Sequence, residues 1–203
     1  MRFEEFQKIA RLKRECMISE KIDGTNAQVQ IVPLALEGVD LTGNWRDLVL
    51  AQNETHVMFA GSRTRYLTVA ADNFGFALWV QANAETLWTL GDGRHYGEWW
   101  GLGIQRGYGQ TEKRFSLFNA WRWNDGNPNR PACVGVVPNL YTGPFSTDAT
   151  AVQIAHLREN GSVAAPGFMK PEGIIIYLSA ARTYFKQTLE KDDLPKGQSD
   201  PRG

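Results

Sequence analysis

The stretch MISEKIDGTNAQVQIV, residues 17–32, is the starting point for interpreting this chain. Apolar and polar residues alternate over residues 17–22 and again over residues 27–32, which is typical of half-buried β-strands. The four residues between them, DGTN at 23–26, are of types that favour turns. We therefore predict a β-hairpin, with Lys21 near the end of its first strand and a glycine at the bend that permits close backbone approach.

The same patterns, followed along the rest of the chain, predict a mainly β protein. Helices are expected at residues 72–89, where Asp72 or Asn73 would cap the first turn, and at 147–160. Residues 37–47 are rich in Gly and Asp and predict a surface loop. The apolar residues near the N-terminus have helix-like spacing: Phe3, Phe6, Ile9 and Leu12. Further strands are expected at residues 57–60, 94–100, 115–123, 133–137, 173–178 and 183–189.

The length of the chain, 203 residues, is typical of one domain with a single core. The sequence contains no internal repeat and no low-complexity linker that would divide it. We predict one α+β domain over residues 1–190 and a polar, Pro- and Gly-rich tail over residues 191–203.

The composition excludes several classes of protein. The 22 basic and 22 acidic residues cancel, so no overall positive field attracts nucleic acid or membranes. Apolar residues at 42% and charged residues at 22% are close to globular averages, which excludes a disordered chain. Cys16 and Cys133 are far apart and lack the spacing of a zinc site or a disulfide framework. With no signal peptide and no apolar run of bilayer length, a cytoplasmic protein is expected.

Lys21-Ile22-Asp23-Gly24 is the most informative short motif. By itself it also fits an ordinary turn with a surface lysine. In its context, Glu20–Asn26 resembles motif I of the covalent nucleotidyltransferases, the superfamily of polynucleotide ligases and mRNA capping enzymes, and most closely the nick-sealing type-2 RNA ligases. Later segments resemble the other motifs in the same order: Ser62–Thr64, Tyr96–Gln105 (motif III), Phe115–Asn119 (IIIa), Glu172–Ile176 (IV) and Phe185–Thr188 (V).

This resemblance implies a fold and a reaction. The fold would be an α+β nucleotidyltransferase (adenylation) domain, similar to ATP-grasp domains, of antiparallel sheets with flanking helices and without an OB-fold domain. Lys21 would attack the α-phosphate of ATP, expel pyrophosphate and hold AMP as a phosphoramidate. AMP would then pass to a 5′-phosphate, and an adjacent 3′-OH would displace it and seal the break. Mg²⁺ would assist, and Mn²⁺ is a possible substitute.

The resemblance also assigns roles to individual residues. Lys21, Lys186 and Asp23 would be catalytic. Glu172 would bind the divalent cation, because hard cations prefer oxygen ligands; the alternative is a solvated carboxylate at the start of a strand. The nucleotide would be bound by residues from all of these segments: Glu20, Lys21, Ile22, Asn26, Arg63, Glu98, Phe118, Glu172 and Lys186.

Three of these residues also have ordinary structural interpretations. Glu98 would accept hydrogen bonds from the ribose hydroxyls, or else be an exposed strand carboxylate. Phe118 would stack on adenine, although a phenylalanine in an apolar strand is usually part of a core. Lys186 would contact the AMP phosphate, or else be an edge residue whose ammonium reaches solvent.

The sequence departs from the family at two positions. Motif V usually has a second lysine two residues after the first, whereas this chain has Thr188 there, and the nearest alternative is Lys191. Asp23 stands where the type-2 RNA ligases can carry histidine, and gives the motif the form usual in DNA ligases and capping enzymes.

Several basic and polar residues are candidates for contacts with nucleic acid. Asn26 and Arg63 match positions that act on the 5′-phosphate and the 3′-OH strand in type-2 RNA ligases, and arginine suits a phosphate because it donates two parallel hydrogen bonds. The candidates for contact with the duplex backbone are Arg106, Lys113 and Arg114 after motif III, and Lys8, Arg11, Lys13 and Arg14 before motif I. The last four equally fit the solvated face of a helix.

The expected partners are nicked duplexes of RNA, DNA or an RNA–DNA hybrid, with RNA on the 3′-OH side and RNA or DNA on the 5′-phosphate side. We expect a monomer with no membrane partner. It would either work as a bare nucleotidyltransferase core or borrow what a second domain usually provides from another nucleic-acid-binding protein. Two alternatives remain open. One is a capping-type guanylyltransferase that uses GTP, and the other is a non-catalytic nucleic-acid-binding relative.

Overall fold

Two β-sheets, both mainly antiparallel, contain most of the regular structure in the computed structural model, which describes residues 3–6, 8–34 and 44–190. Three α-helices accompany them in this part of the chain, so the predicted α+β class with antiparallel sheets is confirmed. The chain divides into two compact units. We call Ile22–Val137 the central unit, and the residues before and after it the terminal unit, by their positions along the chain.

The terminal unit contains a four-stranded antiparallel sheet, the terminal sheet, and one long helix. The order of its strands is β11-β10-β1-β9. Helix α3 covers Thr147–Asn160, as the sequence predicted. The strands are β1 (Glu15–Lys21), β9 (Asn139–Pro144), β10 (Gly173–Leu178) and β11 (Thr183–Thr188).

Helix α3 and one face of the terminal sheet form the core of this unit. Ile18 and Ile174, on neighbouring strands, are fully buried and belong to one cluster with Leu157 of α3. Each such side chain contributes roughly 1.5–3 kcal/mol through burial. The helix begins at Ser146, whose hydroxyl accepts a hydrogen bond from the backbone N–H of Ala149 at 3.0 Å.

The central unit contains the second sheet, the central sheet, with its main strands in the order β3-β4-β2-β6-β7-β8 and β5 paired to β4. All neighbouring pairs are antiparallel except β7 and β8, which are parallel. The strands are β2 (Thr25–Pro33), β3 (Ala51–Gln52), β4 (His56–Ser62), β5 (Tyr66–Leu67), β6 (Gly93–Gly101), β7 (Lys113–Leu117) and β8 (Val134–Val136).

Two short helices pack against this sheet, where the sequence predicted one helix over residues 72–89. Helix α1 covers Phe76–Ala82, α2 covers Ala84–Leu87, and a 3-10 turn follows at Trp88–Leu90. The break falls at Asn83, whose φ of −107° and ψ of 11° are not helical, and whose side chain bonds back to the carbonyl of Trp79 at 2.8 Å. The helical periodicity continues across the break because the buried residues of α1 and α2 belong to the same hydrophobic core.

Gly75 is the N-cap residue of α1, so the predicted cap position at Asp72 or Asn73 is wrong, although Asp72 still serves the first turn of the helix. Its carboxylate accepts hydrogen bonds from the backbone N–H groups of Ala77 at 2.8 Å and Leu78 at 3.1 Å. A carboxylate at this end of a helix satisfies N–H groups that have no partner within the helix, and its charge is favoured there by the helix dipole.

The predicted hairpin between residues 17–22 and 27–32 is wrong, although both strands exist. Strand β1 pairs with β9 and β10, whereas β2 pairs with β4 and β6. The chain therefore leaves the terminal sheet after Lys21 and enters the central sheet at Thr25. The alternation of apolar and polar residues shows which side chains of a strand are buried. It does not show which other strand pairs with it.

Three other predictions about elements need correction. The N-terminal helix is absent from residues 3–6 and 8–12, where the apolar side chains are 61–91% exposed and so lack the packing that a short helix needs. The strand at 115–123 ends at Leu117, because the side chain of Asn119 accepts from the backbone N–H of Arg122 in a turn. Three strands, β3, β5 and β9, are not among the elements that the sequence predicts.

Some predicted features lie outside the described residues. These are the tail at 191–203 and the first part of the loop at 37–47, whose remaining residues belong to a 3-10 turn, Asn44–Leu48. Over the described ranges, no helix combines the length and apolar character that crossing a bilayer requires.

Candidate active site

Lys21 and Glu172 form an ion pair in the terminal unit. Lys21 ends β1, and its Nζ lies 2.5 Å from Glu172 Oε2, although the two residues are 151 positions apart in the sequence. Both side chains are mostly buried, with 22% and 18% of their surface exposed. Lys21 is opposite Gly173 in the register of β1 and β10, so Glu172 precedes the strand residue that faces the lysine. The structure thus joins the lysine of motif I to the glutamate of motif IV.

Gly173, the residue after Glu172, lets two neighbouring strands approach each other closely. A Cβ built on Gly173 would overlap the backbone oxygen of Gln187 in β11, so the backbone would have to move. Its φ of +155° is also one that favours glycine. The glycine after Glu172 therefore allows β11 to lie against the start of β10.

Lys21 and Lys186 lie on the same face of the terminal sheet. Residues directly opposite each other in an antiparallel pair share a face, and residues two apart along a strand do so as well. Lys21 is opposite Gly173, and Gly173 is opposite Thr188, two residues after Lys186. Lys186 is exposed and forms no hydrogen bond or ion pair with the described residues. The resemblance assigned both lysines to the phosphates of one nucleotide, and a shared face is compatible with that assignment.

Glu20 lies on the opposite face, which is the core side. It is 1% exposed and accepts three hydrogen bonds, from the hydroxyl of Ser162 at 2.6 Å and the backbone N–H groups of Val163 and Ala164, both at 2.8 Å. Burial raises the pKa of Glu20 above its ordinary value, and the hydrogen bonds partly oppose that effect. In the structure Glu20 holds the loop that follows α3, a role the sequence did not reveal.

Asp23, two residues after Lys21, is fixed within the central unit. Its Oδ2 lies 3.0 Å from Nε of Arg106, and its backbone N–H donates to the hydroxyl of Tyr108 at 2.9 Å. Tyr108 is buried and has a φ of +51° between two glycines that also have positive φ. Sequence reasoning missed Tyr108, although a tyrosine flanked by Gly107 and Gly109 just after motif III is a detectable signal.

Glu98 and Asn26 face each other across β6 and β2. Oε2 of Glu98 accepts from the side-chain amide of Asn26 at 3.1 Å, and Oε1 accepts from the backbone N–H of Gly24 at 3.1 Å. Glu98 is 7% exposed, so it is not the exposed strand carboxylate of the alternative interpretation. A Cβ on Gly24 would lie 2.5 Å from the carbonyl oxygen of Trp99, which confirms that this glycine permits close backbone approach.

Phe118, Arg63 and Ile22 differ in exposure. Phe118 directly follows β7 and is 39% exposed, so it is not a core residue, and its backbone N–H donates to the carbonyl of Tyr96 at 2.9 Å. Arg63 follows β4, is exposed, and has no ion pair or hydrogen bond to any residue in the described ranges. Ile22 is 3% exposed. The structure therefore leaves an aromatic ring and an arginine of the predicted site open to solvent.

The three cations after motif III that are candidates for contact with a duplex backbone already have protein partners. Arg106 pairs with Asp23, as described above. The ammonium of Lys113 donates to the carbonyl of Phe74 at 2.8 Å, and Arg114 pairs with Glu112 at 3.0 Å. Because exposed pairs such as the last one exchange readily with other partners, these contacts do not prevent binding to a phosphate.

Among the described residues, no group of three or more His, Cys, Asp or Glu side chains is arranged to hold a metal ion. A divalent cation at this site would therefore need ligands from a bound molecule in addition to Glu172. Mg²⁺ is commonly held in this way, by one or two carboxylates together with phosphate oxygens and water.

Comparison with known proteins gives one family and one group of solved structures. The family model described as RNA ligase matches residues 14–188. The fold is similar to that of Naegleria gruberi RNA ligase in an apo mutant, with a TM-score of 0.56 and 17% identity over 88% of this chain and 50% of that one. A mutant of the same enzyme with ATP and Mn gives a TM-score of 0.56 and 18% identity, over 91% of this chain and 52% of that one. A third structure, a mutant with AMP and Mn, gives a TM-score of 0.52 and 16% identity, over 87% of this chain and 50% of that one.

At these identities the structural likeness concerns the fold alone. This chain spans about half the length of the solved proteins it matches. The search of curated proteins found no match.

Proposed function

Because this chain belongs to the RNA ligase family, we propose that it is an ATP-dependent RNA ligase in which Lys21 becomes covalently bound to AMP. The observation that carries the proposal is the contact between Lys21 and Glu172, on a sheet face that also carries Lys186. An amine, a carboxylate and a second cation on one face are the groups that nucleotidyl transfer to a lysine requires.

In the proposed first step, Lys21 Nζ attacks the α-phosphorus of ATP. Glu172 first takes one proton from the Lys21 ammonium, its ion-pair partner. The lone pair of the neutral Nζ then forms the bond to phosphorus, the bond from this phosphorus to the pyrophosphate oxygen breaks, and the second proton of Nζ passes to solvent. Glu172 supports this step by fixing the position of Nζ through its 2.5 Å contact. Lys186 would balance the negative charge of the α-phosphate, since most catalysis of phosphoryl transfer is positioning and charge stabilisation.

Other residues of the predicted site would bind the nucleoside. Phe118 has the exposed ring needed to stack on adenine. Glu98 has carboxylate oxygens that can accept hydrogen bonds from ribose hydroxyls in addition to its bonds to Gly24 and Asn26. Asp23 would act by keeping the segment after Lys21 in place through Arg106 and Tyr108. Glu20 and Ile22 would contribute through the same segment, as buried residues on either side of Lys21.

The proposed cation is Mg²⁺, with Mn²⁺ as a substitute, held by Glu172 together with the phosphates of ATP. When bound, it would neutralise charge on those phosphates. The relatives solved with ATP and Mn or with AMP and Mn support this choice of nucleotide and metal.

For the later steps, we propose sealing of nicks in a duplex, with RNA at the 3′-OH side and RNA or DNA at the 5′-phosphate side. Arg63 supports this assignment because its guanidinium is exposed and has no partner among the described residues, so it is available to a phosphate. Further contacts would come from Asn26, Lys113 and Arg114, each by exchanging a present protein partner. Arg106 would add another while its Nε stays with Asp23.

The decisive experiment is covalent labelling with α-labelled ATP and Mg²⁺. We expect label on the wild-type protein, stable to base and lost in acid as for a phosphoramidate, and no label on Lys21→Ala. Arg158→Ala, which removes an exposed cation from α3 of the same unit, is the matched control and should label normally. Label from GTP in place of ATP would show a capping-type enzyme, and no label from either would show a non-catalytic relative.

A further inference from the structure

An aromatic pair with one exposed ring lies on the terminal sheet, toward the opposite end of its strands from Lys21. Tyr177 of β10 and Tyr184 of β11 are directly opposite in register. Their ring centroids are 4.7 Å apart with an interplanar angle of 37°. Tyr184 is 65% exposed, which leaves most of its ring surface open to solvent. Two tyrosines in contact, one of them largely uncovered, offer an aromatic surface to a planar ligand.

The pair shares its sheet face with Lys21 and Lys186. Tyr184 is two residues before Lys186 on β11, and Met17, opposite Tyr177, is four residues before Lys21 on β1. Four residues of strand correspond to about 13 Å. A stacked polynucleotide strand advances about 3.4 Å per nucleotide, so the pair is about four nucleotides from the level of Lys21.

The charges around Tyr184 favour a polyanion. Arg182 and Lys186, two residues before and after Tyr184, are both exposed, and neither has an ion pair or hydrogen bond within the described part of the chain. The Tyr184 phenol, like an ordinary tyrosine with a pKa of about 10, is neutral at neutral pH and does not repel phosphates. An aromatic ring flanked by free cations is the usual arrangement for binding single-stranded nucleic acid.

We propose that Tyr184, supported by Tyr177, is a stacking site for a base of a single polynucleotide strand, with Arg182 contacting a neighbouring phosphate and Lys186 adding positive charge nearby. The site would hold an unpaired stretch of the substrate strand, about four nucleotides from the bond being sealed and outside the duplex at the nick. The inference rests on the proposed ligase function for its biological meaning. Because every base has a π-face, this contact would not distinguish one base sequence from another, or RNA from DNA.

The test measures binding of a fluorescein-labelled single-stranded RNA by anisotropy, without ATP, to the full chain. Alanine substitution of a stacking aromatic weakens binding about 5- to 150-fold, and we expect a loss in this range for Tyr184→Ala. Tyr184→Phe keeps the ring and should bind like the wild type. Phe185→Ala is the matched control, because Phe185 is the next residue, is 54% exposed and lies on the opposite face of β11. Thermal melts of each variant confirm that it folds.

Each outcome decides the proposal. Loss of binding in Tyr184→Ala alone supports it. The proposal is overturned if the wild type does not bind the RNA, or if Tyr184→Ala binds as well as the wild type. It is also overturned if Phe185→Ala or Tyr184→Phe loses as much affinity as Tyr184→Ala. Covalent labelling by ATP, measured on the same proteins, separates this result from the proposed function. If ATP labels the protein normally but Tyr184→Ala does not weaken RNA binding, only the stacking site is rejected. If Tyr184→Ala weakens RNA binding but ATP gives no label, only the proposed ligase function is rejected.

Discussion

At the residue scale, the pairing of Lys21 with Glu172 is the central feature of the molecule. Lys21 ends β1 and Glu172 immediately precedes β10, the strand that pairs with β1 in the folded sheet, and each side chain is about four-fifths buried. Holding opposite charges together at low exposure strengthens their interaction, because solvent screens them less than it screens a surface pair. The pair therefore fixes the orientation of the amine that we propose as the nucleophile.

The corresponding prediction concerns Glu172→Gln. The amide has nearly the shape of the carboxylate but no charge, so it loses a charge-assisted hydrogen bond that contributes roughly 1.5–3 kcal/mol, and it is a poorer ligand for a divalent cation. We expect the rate of covalent labelling by ATP to fall about 10- to 100-fold. Glu159→Gln, an exposed carboxylate on α3, should label at the wild-type rate. Unchanged labelling in Glu172→Gln would show that this carboxylate has no part in the first step.

At the element scale, α3 links the core of the terminal unit to the loop that Glu20 holds. The helix buries Ile154 and Leu157 against the terminal sheet and ends before Gly161, whose φ of +78° turns the chain toward Ser162. Ser162 and the two backbone groups that follow then donate to Glu20, the residue next to Lys21. A correctly ended helix therefore contributes to the position of β1.

The prediction for this element is that Ser146→Ala destabilises the protein by about 1 kcal/mol, the usual effect of removing a serine cap. The lost interaction is the 3.0 Å hydrogen bond from the backbone N–H of Ala149 to the serine hydroxyl. Urea unfolding followed by circular dichroism measures the change. Thr147→Ala, at the adjacent exposed position, removes a hydroxyl without a cap and should change stability by much less. Equal effects of the two substitutions would contradict the assignment of the cap.

The elements also show what could be predicted from the sequence. Local patterns located β1, β2, β10 and α3 to within two residues, because alternation and helical periodicity directly reflect burial. They failed for the pairing of β1 with β9 and β10, which depends on contacts between residues more than a hundred positions apart. The same limit applies to the site. Motif spacing identified Lys21 and Glu172 individually, whereas Tyr108, which bonds the backbone of Asp23, belongs to no periodic pattern.

At the scale of the whole molecule, the chain forms one compact unit from its two ends and another from its middle. The chain passes from the terminal unit to the central unit between Lys21 and Ile22, and returns to the terminal unit between Val137 and Pro138. The proposed nucleophile is thus the last residue of one unit, and Asp23, its motif partner, belongs to the other. Each unit also contains a buried titratable group, Glu20 in one and His95 in the other, so the stability of the protein depends on pH.

His95 supplies the last prediction. It is 4% exposed, its Nε2 donates to the carbonyl of Gly91 at 2.8 Å, and burial lowers its pKa below the ordinary value of about 6.5. Below that pH the unfolded chain binds a proton that the folded protein resists, so the contribution of His95 to stability is present above about pH 6.5 and is lost as the pH falls.

Melting temperatures of the wild type and of His95→Gln, measured between neutral and mildly acidic pH, test this sign. Glutamine can still donate to Gly91 but does not titrate, so its melting temperature should fall less steeply below about pH 6.5, while the difference between the two proteins stays constant above that pH. His156→Gln, on the exposed side of α3, controls for the loss of an ordinary histidine and should follow the wild-type profile. Parallel profiles for the wild type and His95→Gln would mean that His95 titrates alike in the folded and unfolded chains. The acid sensitivity of the fold would then have to come from its carboxylates.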